Sequence, residues 1–230
     1  MKVIWLGHGS FRIEIDGQVL LIDPWITGNP VFPEDRRAEA IDGVNHILLT
    51  HAHSDHVADC RDIARETGAT LVGQYDLMGY WAEHEELTTI GFNKGGTVQL
   101  GNVAVTMVHA VHSTSFRGPD GPIVPGTECG FMISGEGRTI YVSGDTDVMA
   151  DMEIFNDLHA PDIGILCAGG HFTMDMKRAA YAAKKFFDFK VVIPCHYRTF
   201  PLLEQSAEVL VDALPGVDVI EPEVMEAITL

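Results

Sequence analysis

Basic residues are scarce in this sequence: 15 lysines and arginines stand against 33 aspartates and glutamates, a formal charge of -18. A field of that sign repels phosphate backbones and anionic headgroups, which argues against nucleic acid and membrane surfaces as partners. No apolar run reaches the roughly 18 residues that a bilayer-spanning helix needs. The opening Met1-Lys2-Val3-Ile4-Trp5-Leu6-Gly7-His8 is too short an apolar stretch for a secretory leader, so a cytoplasmic location is expected. Cysteines number only four, Cys60, Cys129, Cys167 and Cys195, and lie far apart. That spacing reads as reduced core thiols rather than a disulfide framework. No Pro- or Ser-rich linker divides the 230 residues, so one domain over residues 1–230 is expected. With 46% hydrophobic residues the chain can fill a core, which excludes a disordered or fibrous protein.

What is present is an alternation of short β-rich runs and helical patterns. Residues 3–6, 11–15, 19–22 and 46–50 read as strands. Beyond Thr50 the period changes: Val57, Cys60, Ile63, Ala64 and Thr67 recur at helical spacing, and Gly68 stops them. A strand at 69–72, a helix at about 75–84 and strands at 98–100 and 103–111 follow. The second half repeats the order, with strands at 130–133, 139–142, 163–167 and 191–195 and helices at 175–187 and 202–214. Two such halves predict an α/β domain of two packed sheets flanked by helices. Two loops stand out. Residues 23–37 carry three prolines with Trp25 and Phe32 and read as a functional lid; residues 113–128 are rich in Gly and Pro.

The strongest chemical signal is His51-Ala52-His53-Ser54-Asp55-His56, set between an apolar strand and a helix. His51 and His53 can converge on one ion, while Asp55 and His56 suit a second. Three imidazoles and a carboxylate crowded at one turn need something cationic to gather them. One loop cannot complete two coordination spheres, and further candidates sit at the ends of other β-runs: His109 and His112, Asp145 and Asp147, and His196. His109 and His112 have opposite parity on the preceding strand, so one of them faces the site.

Together, His51-x-His53-x-Asp55-His56, His112, Asp145 and His196 resemble the metallo-β-lactamase superfamily. Ile22-Asp23-Pro24-Trp25, Gly28-Asn29-Pro30, Gly144-Asp145-Thr146, Phe172-Thr173-Met174 and His196-Tyr197-Arg198-Thr199-Phe200-Pro201 are similar to small metal-dependent hydrolases related to L-ascorbate-6-phosphate lactonase. The resemblance implies an αββα sandwich with two mixed sheets and a two-metal site at their edge. It assigns His51, His53 and His112 to the first metal, Asp55, His56 and His196 to the second, and Asp145 to a bridge. Ser113 after His112 fits the family pattern and selects His112 over His109.

The expected activity is hydrolysis of an ester, lactone, phosphodiester or similar bond of a small molecule by a hydroxide held between two divalent cations. Zinc is the expected metal, with manganese or iron suited to the same donors. The alternatives are an iron-dependent oxygenase or redox enzyme on the same fold, and a non-catalytic metal-binding protein. Asp55 is expected to orient the nucleophile as well as ligate. His171, after Gly169-Gly170, reads either as the acid for a leaving group or as a structural residue. Asp23 is expected to fix the ligand loop from behind, and His8 either lines the site or caps a turn. Asn29, Arg117, Tyr197 and Arg198 are the candidate substrate contacts. Either arginine would clamp an anionic substrate. A homo-oligomer is compatible with the sequence.

Overall fold

The computed structural model describes residues 1–118 and 120–230; Pro119, in the Gly/Pro-rich loop, lies outside them. The chain opens with strands β1 (Lys2–Gly7), β2 (Ser10–Ile15) and β3 (Gln18–Ile22), then a short helix α1 (Arg37–Ile41). Strand β4 (His46–Leu49), helices α2 (Ser54–Val57) and α3 (Cys60–Thr67), β5 (Thr70–Gln74), α4 (Tyr75–Glu85) and β6 (Thr89–Phe92) follow. The second half runs β7 (Thr97–Leu100), β8 (Val103–His109), a small hairpin β9 (Phe116–Gly118) and β10 (Gly121–Ile123), β11 (Cys129–Gly135) and β12 (Arg138–Val142). It ends with α5 (Asp151–His159), β13 (Ile163–Cys167), α6 (Met176–Phe186), β14 (Val191–Cys195), α7 (Glu208–Ala213), β15 (Asp218–Val219) and β16 (Ala227–Thr229).

Two seven-stranded mixed sheets result, ordered β16-β1-β2-β3-β4-β5-β6 and β15-β14-β13-β12-β11-β8-β7. Period-2 burial explains the layering. On β4, Leu48 joins the core shared with the second sheet, while Ile47 and Leu49 join a separate core with Ile63 and Ala64 of α3 and Leu77 and Trp81 of α4. A strand buried on both faces reads as a continuous apolar run, and Ile47-Leu48-Leu49 is one. The order helix, sheet, sheet, helix is the αββα sandwich expected.

Strand direction decides where the site lies. In the first sheet β1 and β3 each pair antiparallel with β2, and β4 runs parallel to β3, so β1, β3 and β4 end on the same edge. In the second, β8 and β12 flank β11 antiparallel, and β13 and β14 continue parallel to β12. Candidate residues after β1, β3, β4, β8, β12 and β14 therefore gather on one rim.

Two predicted helices differ from those observed. The helical pattern after Thr50 is broken at residues 58–59, because the Asp59 carboxylate is committed to Ile26 N, Thr27 N and the Thr27 hydroxyl at 2.6–3.0 Å instead of capping α3. The helix expected at 202–214 shrinks to α7. After Pro201 the Gln205 amide donates to the carbonyls of Phe200 and Leu203, holding a turn that delays the helix to Glu208.

Candidate metal centre

The His-rich turn leaves β4 with its donors already aimed. Asp23, just after β3, is buried and accepts from Thr50 N (2.8 Å), the Thr50 hydroxyl (2.5 Å) and His56 Nδ1 (2.8 Å). Since the Thr50 hydroxyl donates to Asp23, its oxygen accepts from His51 Nδ1 at 3.0 Å. Both imidazoles thus carry their proton on Nδ1 and present Nε2 to the rim, so one outer carboxylate sets two rings. Burial raises the Asp23 pKa, against the pull of His56 and Thr50.

Two donor groups face the rim, joined from behind by a third set, Asp23 with His51 and His56. His51, His53 and His112 offer atoms within 4.8 Å of one another, and so do His8, Asp55, His56 and His196. His51 Nε2 faces His53 Nδ1 at 3.0 Å. Asp145 lies between the groups: its Oδ2 is 3.1 Å from His196 Nε2, 3.4 Å from His56 Nε2, 3.6 Å from His112 Nε2 and 3.9 Å from His51 Nε2. His56 Nε2 and His196 Nε2 are buried without a well-aligned hydrogen-bond partner. Orphaned buried nitrogens are costly unless something accepts their lone pairs, so the donor set fits cations. Seven residues expected as ligands, His51, His53, Asp55, His56, His112, Asp145 and His196, are brought together.

The electrostatics divide the groups. Burial lowers the pKa of His51 well below its ordinary value, and lowers those of His53 and His112, so these rings are neutral. Burial also opposes charge on His56 and His196, but Asp145 and Asp55 outweigh it: His56 is raised well above the usual range and His196 to about 9. Despite burial, Asp55 and Asp145 are pulled below the usual carboxylate range by the facing histidines.

His8 lines the rim from behind. Burial lowers its pKa to about 4, so it is neutral; its Nε2 donates to Asp55 Oδ2 at 2.9 Å and its Nδ1 accepts from the Thr199 hydroxyl at 2.9 Å. His8 (φ 53°), Asp23 (φ 45°) and His196 (φ 59°) all adopt left-handed backbone. Such strain in non-glycine residues concentrates at functional sites. Gly169 permits one close approach, since a Cβ there would collide with the His196 carbonyl.

Several expected residues lie elsewhere. His171 is exposed, edge-on to Phe172 with ring centroids 4.5 Å apart. The turn closed by Thr173 N to Gly170 O and Gly170 N to Met174 O puts Phe172 on the cleft and leaves His171 in a separate depression beside Leu202 and Glu204. An extended chain past His196 would carry Arg198 back to the rim, but His196 and Arg198 (φ 61°) are left-handed and that parity is lost. Its guanidinium donates to the Pro222 carbonyl at 2.9 Å, reaches Glu223 at 3.4 Å and lies over the Trp5 and Tyr197 rings. Tyr197 is buried and stacked on Trp5 at 5.7 Å. Asn29 braces its own loop, donating to Trp25 O at 3.0 Å and accepting from Val31 N at 3.2 Å. Arg117 is exposed on β9 and does not line the cleft. His109 turns away to Asp151 at 3.1 Å, leaving His112 as the inward ring. The four cysteines are buried and unpaired.

A cleft of about 610 Å³ opens over the donors. Its aromatic lining, Trp25, Phe172 and Phe200, is absent from the substrate contacts expected above, although all three residues stand in the hydrolase-like motifs and Trp25 in the proline-rich loop 23–37. That loop is a fixed wall, not a hinged lid: Trp25 N donates to Ser10 Oγ at 3.0 Å, beside the Asp59 bonds to Ile26 and Thr27.

Residues 18–197 match the family model described as a beta-lactamase superfamily domain. A UPF0173 metal-dependent hydrolase of Dinoroseobacter shibae is 70% identical over 230 residues, and one of Paracoccus denitrificans is 64% identical, each over the full length of both chains. The solved structure of Igni18, a metallo hydrolase of the archaeon Ignicoccus hospitalis, superposes with a TM-score of 0.86 at 31% identity, covering 99% of this chain and 97% of that one.

Proposed function

The chain belongs to the beta-lactamase superfamily and is a metal-dependent hydrolase, and from that premise we propose that it holds two divalent cations and cleaves an ester, lactone or similar bond of a small molecule. The carrying observation is Asp145 Oδ2, within 3.1–3.9 Å of imidazoles from both donor groups. A carboxylate so placed suits a bridge between two ions. His51, His53 and His112 would hold one cation and Asp55, His56 and His196 the other, with zinc the ion proposed and manganese or iron compatible with the same donors. Bound there, such ions supply Lewis acidity and a nucleophilic water near neutral pH.

The chain's own residues do the rest. Asp55 lines the cleft, and His8 fixes its Oδ2, so Asp55 is placed to accept a hydrogen bond from the attacking water and aim it at the scissile bond. Asp23 holds the His51 and His56 rings in the tautomer that ligates. The aromatic walls exclude water around the scissile bond.

Elemental analysis at saturating metal tests the dinuclear reading. Two ions per chain are expected, with His51→Ala and His196→Ala each retaining one, at different sites. A wild-type protein that saturates at one ion overturns it.

A further inference from the structure

The cleft has two chemically distinct sides. The floor is the donor cluster, where the hydrolysable group must lie if the preceding reading holds. Whatever hangs from that group rests on Trp25, Phe172 and Phe200. Among the described residues, no lysine or arginine lines this space. Arginines near the rim in sequence lie outside this space: Arg198 bonds to Pro222 and Glu223, Arg178 to Asp147 at 2.6 and 2.8 Å, Arg61 to Glu85, and Arg117 is exposed on β9. A second anionic group on a substrate would therefore meet ring faces and the carboxylates of Asp55 and Asp145, with no lysine or arginine to receive it.

The rings are built for contact. Trp25 and Phe200 sit 6.0 Å apart, and both pack against the buried His8 ring, at 5.3 and 5.6 Å. The Trp25 indole N–H donates to Thr27 O at 3.1 Å, which fixes the ring before any ligand arrives. Phe172 is 52% exposed although it borders the cleft. An ordered, pre-formed aromatic wall binds flat apolar groups with little ordering cost.

We infer that the site takes an uncharged small molecule whose aromatic or bulky apolar group stacks on Trp25, Phe172 and Phe200 while its ester or lactone reaches the donor cluster. This rests on the hydrolase reading above, and the test separates the two. Metal-free full-length protein is titrated by NMR with methyl 4-acetamidobenzoate and with 4-acetamidobenzoate, which differ by one distal charge. The neutral probe binds about tenfold or more tighter, and Phe172→Ala, at an exposed ring that the fold does not need, weakens it about three- to tenfold. The zinc-loaded protein is then assayed with methyl 4-acetoxybenzoate and 4-acetoxybenzoate; kcat/KM favours the neutral ester by about tenfold or more, and Phe172→Ala raises its KM. Equal or tighter binding of the anion, or indifference of the neutral probe to Phe172→Ala, overturns the inference. Selective binding of the neutral probe, with no ester turned over by zinc-, manganese- or iron-loaded protein, upholds the inference about the cleft and instead breaks the ester-and-lactone reading.

Discussion

The two donor groups on the rim are built differently. His53 and His112 are half-buried, and of the first group only His51 is oriented from behind, through the Thr50 hydroxyl. In the second group His8, His56 and His196 are all buried; His56 is held directly by Asp23 and Asp55 directly by His8. The first group carries neutral rings with free lone pairs. The second, without a cation, keeps its protons through Asp145 and Asp55. One half of the site needs the His-x-His turn and a single ring from beyond β8, while the other needs β1, β3, α2 and β14 to converge. Changes to the fold should therefore register first in the second group.

The largest break in this comparison is removal of the residue the groups share. Asp145→Ala takes away the one carboxylate that faces both, and loss of hydrolysis and of both high-affinity ions is expected. It also leaves the charge of His56 and His196 with Asp55 and, behind His56, Asp23 as the remaining carboxylates. Activity above a few per cent, with two ions retained by elemental analysis, would show that the groups do not depend on a bridge.

Asp23→Asn sharpens the asymmetry. Asp23 touches His56 directly and His51 only through Thr50, so the second ion should weaken more than the first. Outer-sphere changes of this kind cost about 10–100-fold in metal affinity. Competition with a chromophoric chelator, resolving the two ions, checks the order; equal weakening would mean the Thr50 relay is as stiff as the direct bond.

Proton release offers a smaller, independent measure. His196 titrates at about 9 in the metal-free protein and His56 is raised as well, so both are protonated at pH 7. A cation entering the second group must displace those protons, and its affinity should rise with pH through neutrality toward 9. The first group has lowered pKa values, so its rings are already deprotonated at pH 7 and its affinity should be nearly flat above that point. Calorimetry in buffers of different ionisation enthalpy measures this: about one to two protons per ion in the second group, near zero in the first. Two equal steps would place the same charge on both groups.

The sequence was legible where chemistry is local or repeats at strand ends. The His51 to His56 turn names itself, and His112, Asp145 and His196 each end an apolar run, so parallel strand ends bring them to one rim. Asp23 was legible as a brace because it ends β3 beside that turn. The aromatic wall was not, since Trp25, Phe172 and Phe200 belong to three distant loops and meet only in the folded chain. Asn29 and Tyr197 share motifs with candidate site residues but face a loop carbonyl and the Trp5 ring. His171 follows two glycines that bring backbone, not its own imidazole, to His196. In each failure, turn geometry overrode the parity that a strand would have imposed.

Arg198 is the sharpest of these cases and carries the smallest expected effect. An extended continuation past His196 would aim its guanidinium at the cleft and make it the clamp for an anionic substrate. Two left-handed departures, at His196 and Arg198, rotate it to the outside instead, over the Trp5 and Tyr197 rings and onto the Pro222 carbonyl. There its side chain ties the segment before β16 to the turn after β14, outside the lining of the cleft. Arg198→Ala should lower stability by about 1–2 kcal/mol, from two cation–π contacts, one hydrogen bond to the Pro222 carbonyl and an ion pair with exposed Glu223. It should leave KM for the neutral and the anionic 4-acetoxybenzoate esters within about twofold of wild type. Thermal denaturation and the paired kinetics check both halves. A selective rise in KM for the anion would return Arg198 to the cleft and the donor groups to an anionic substrate.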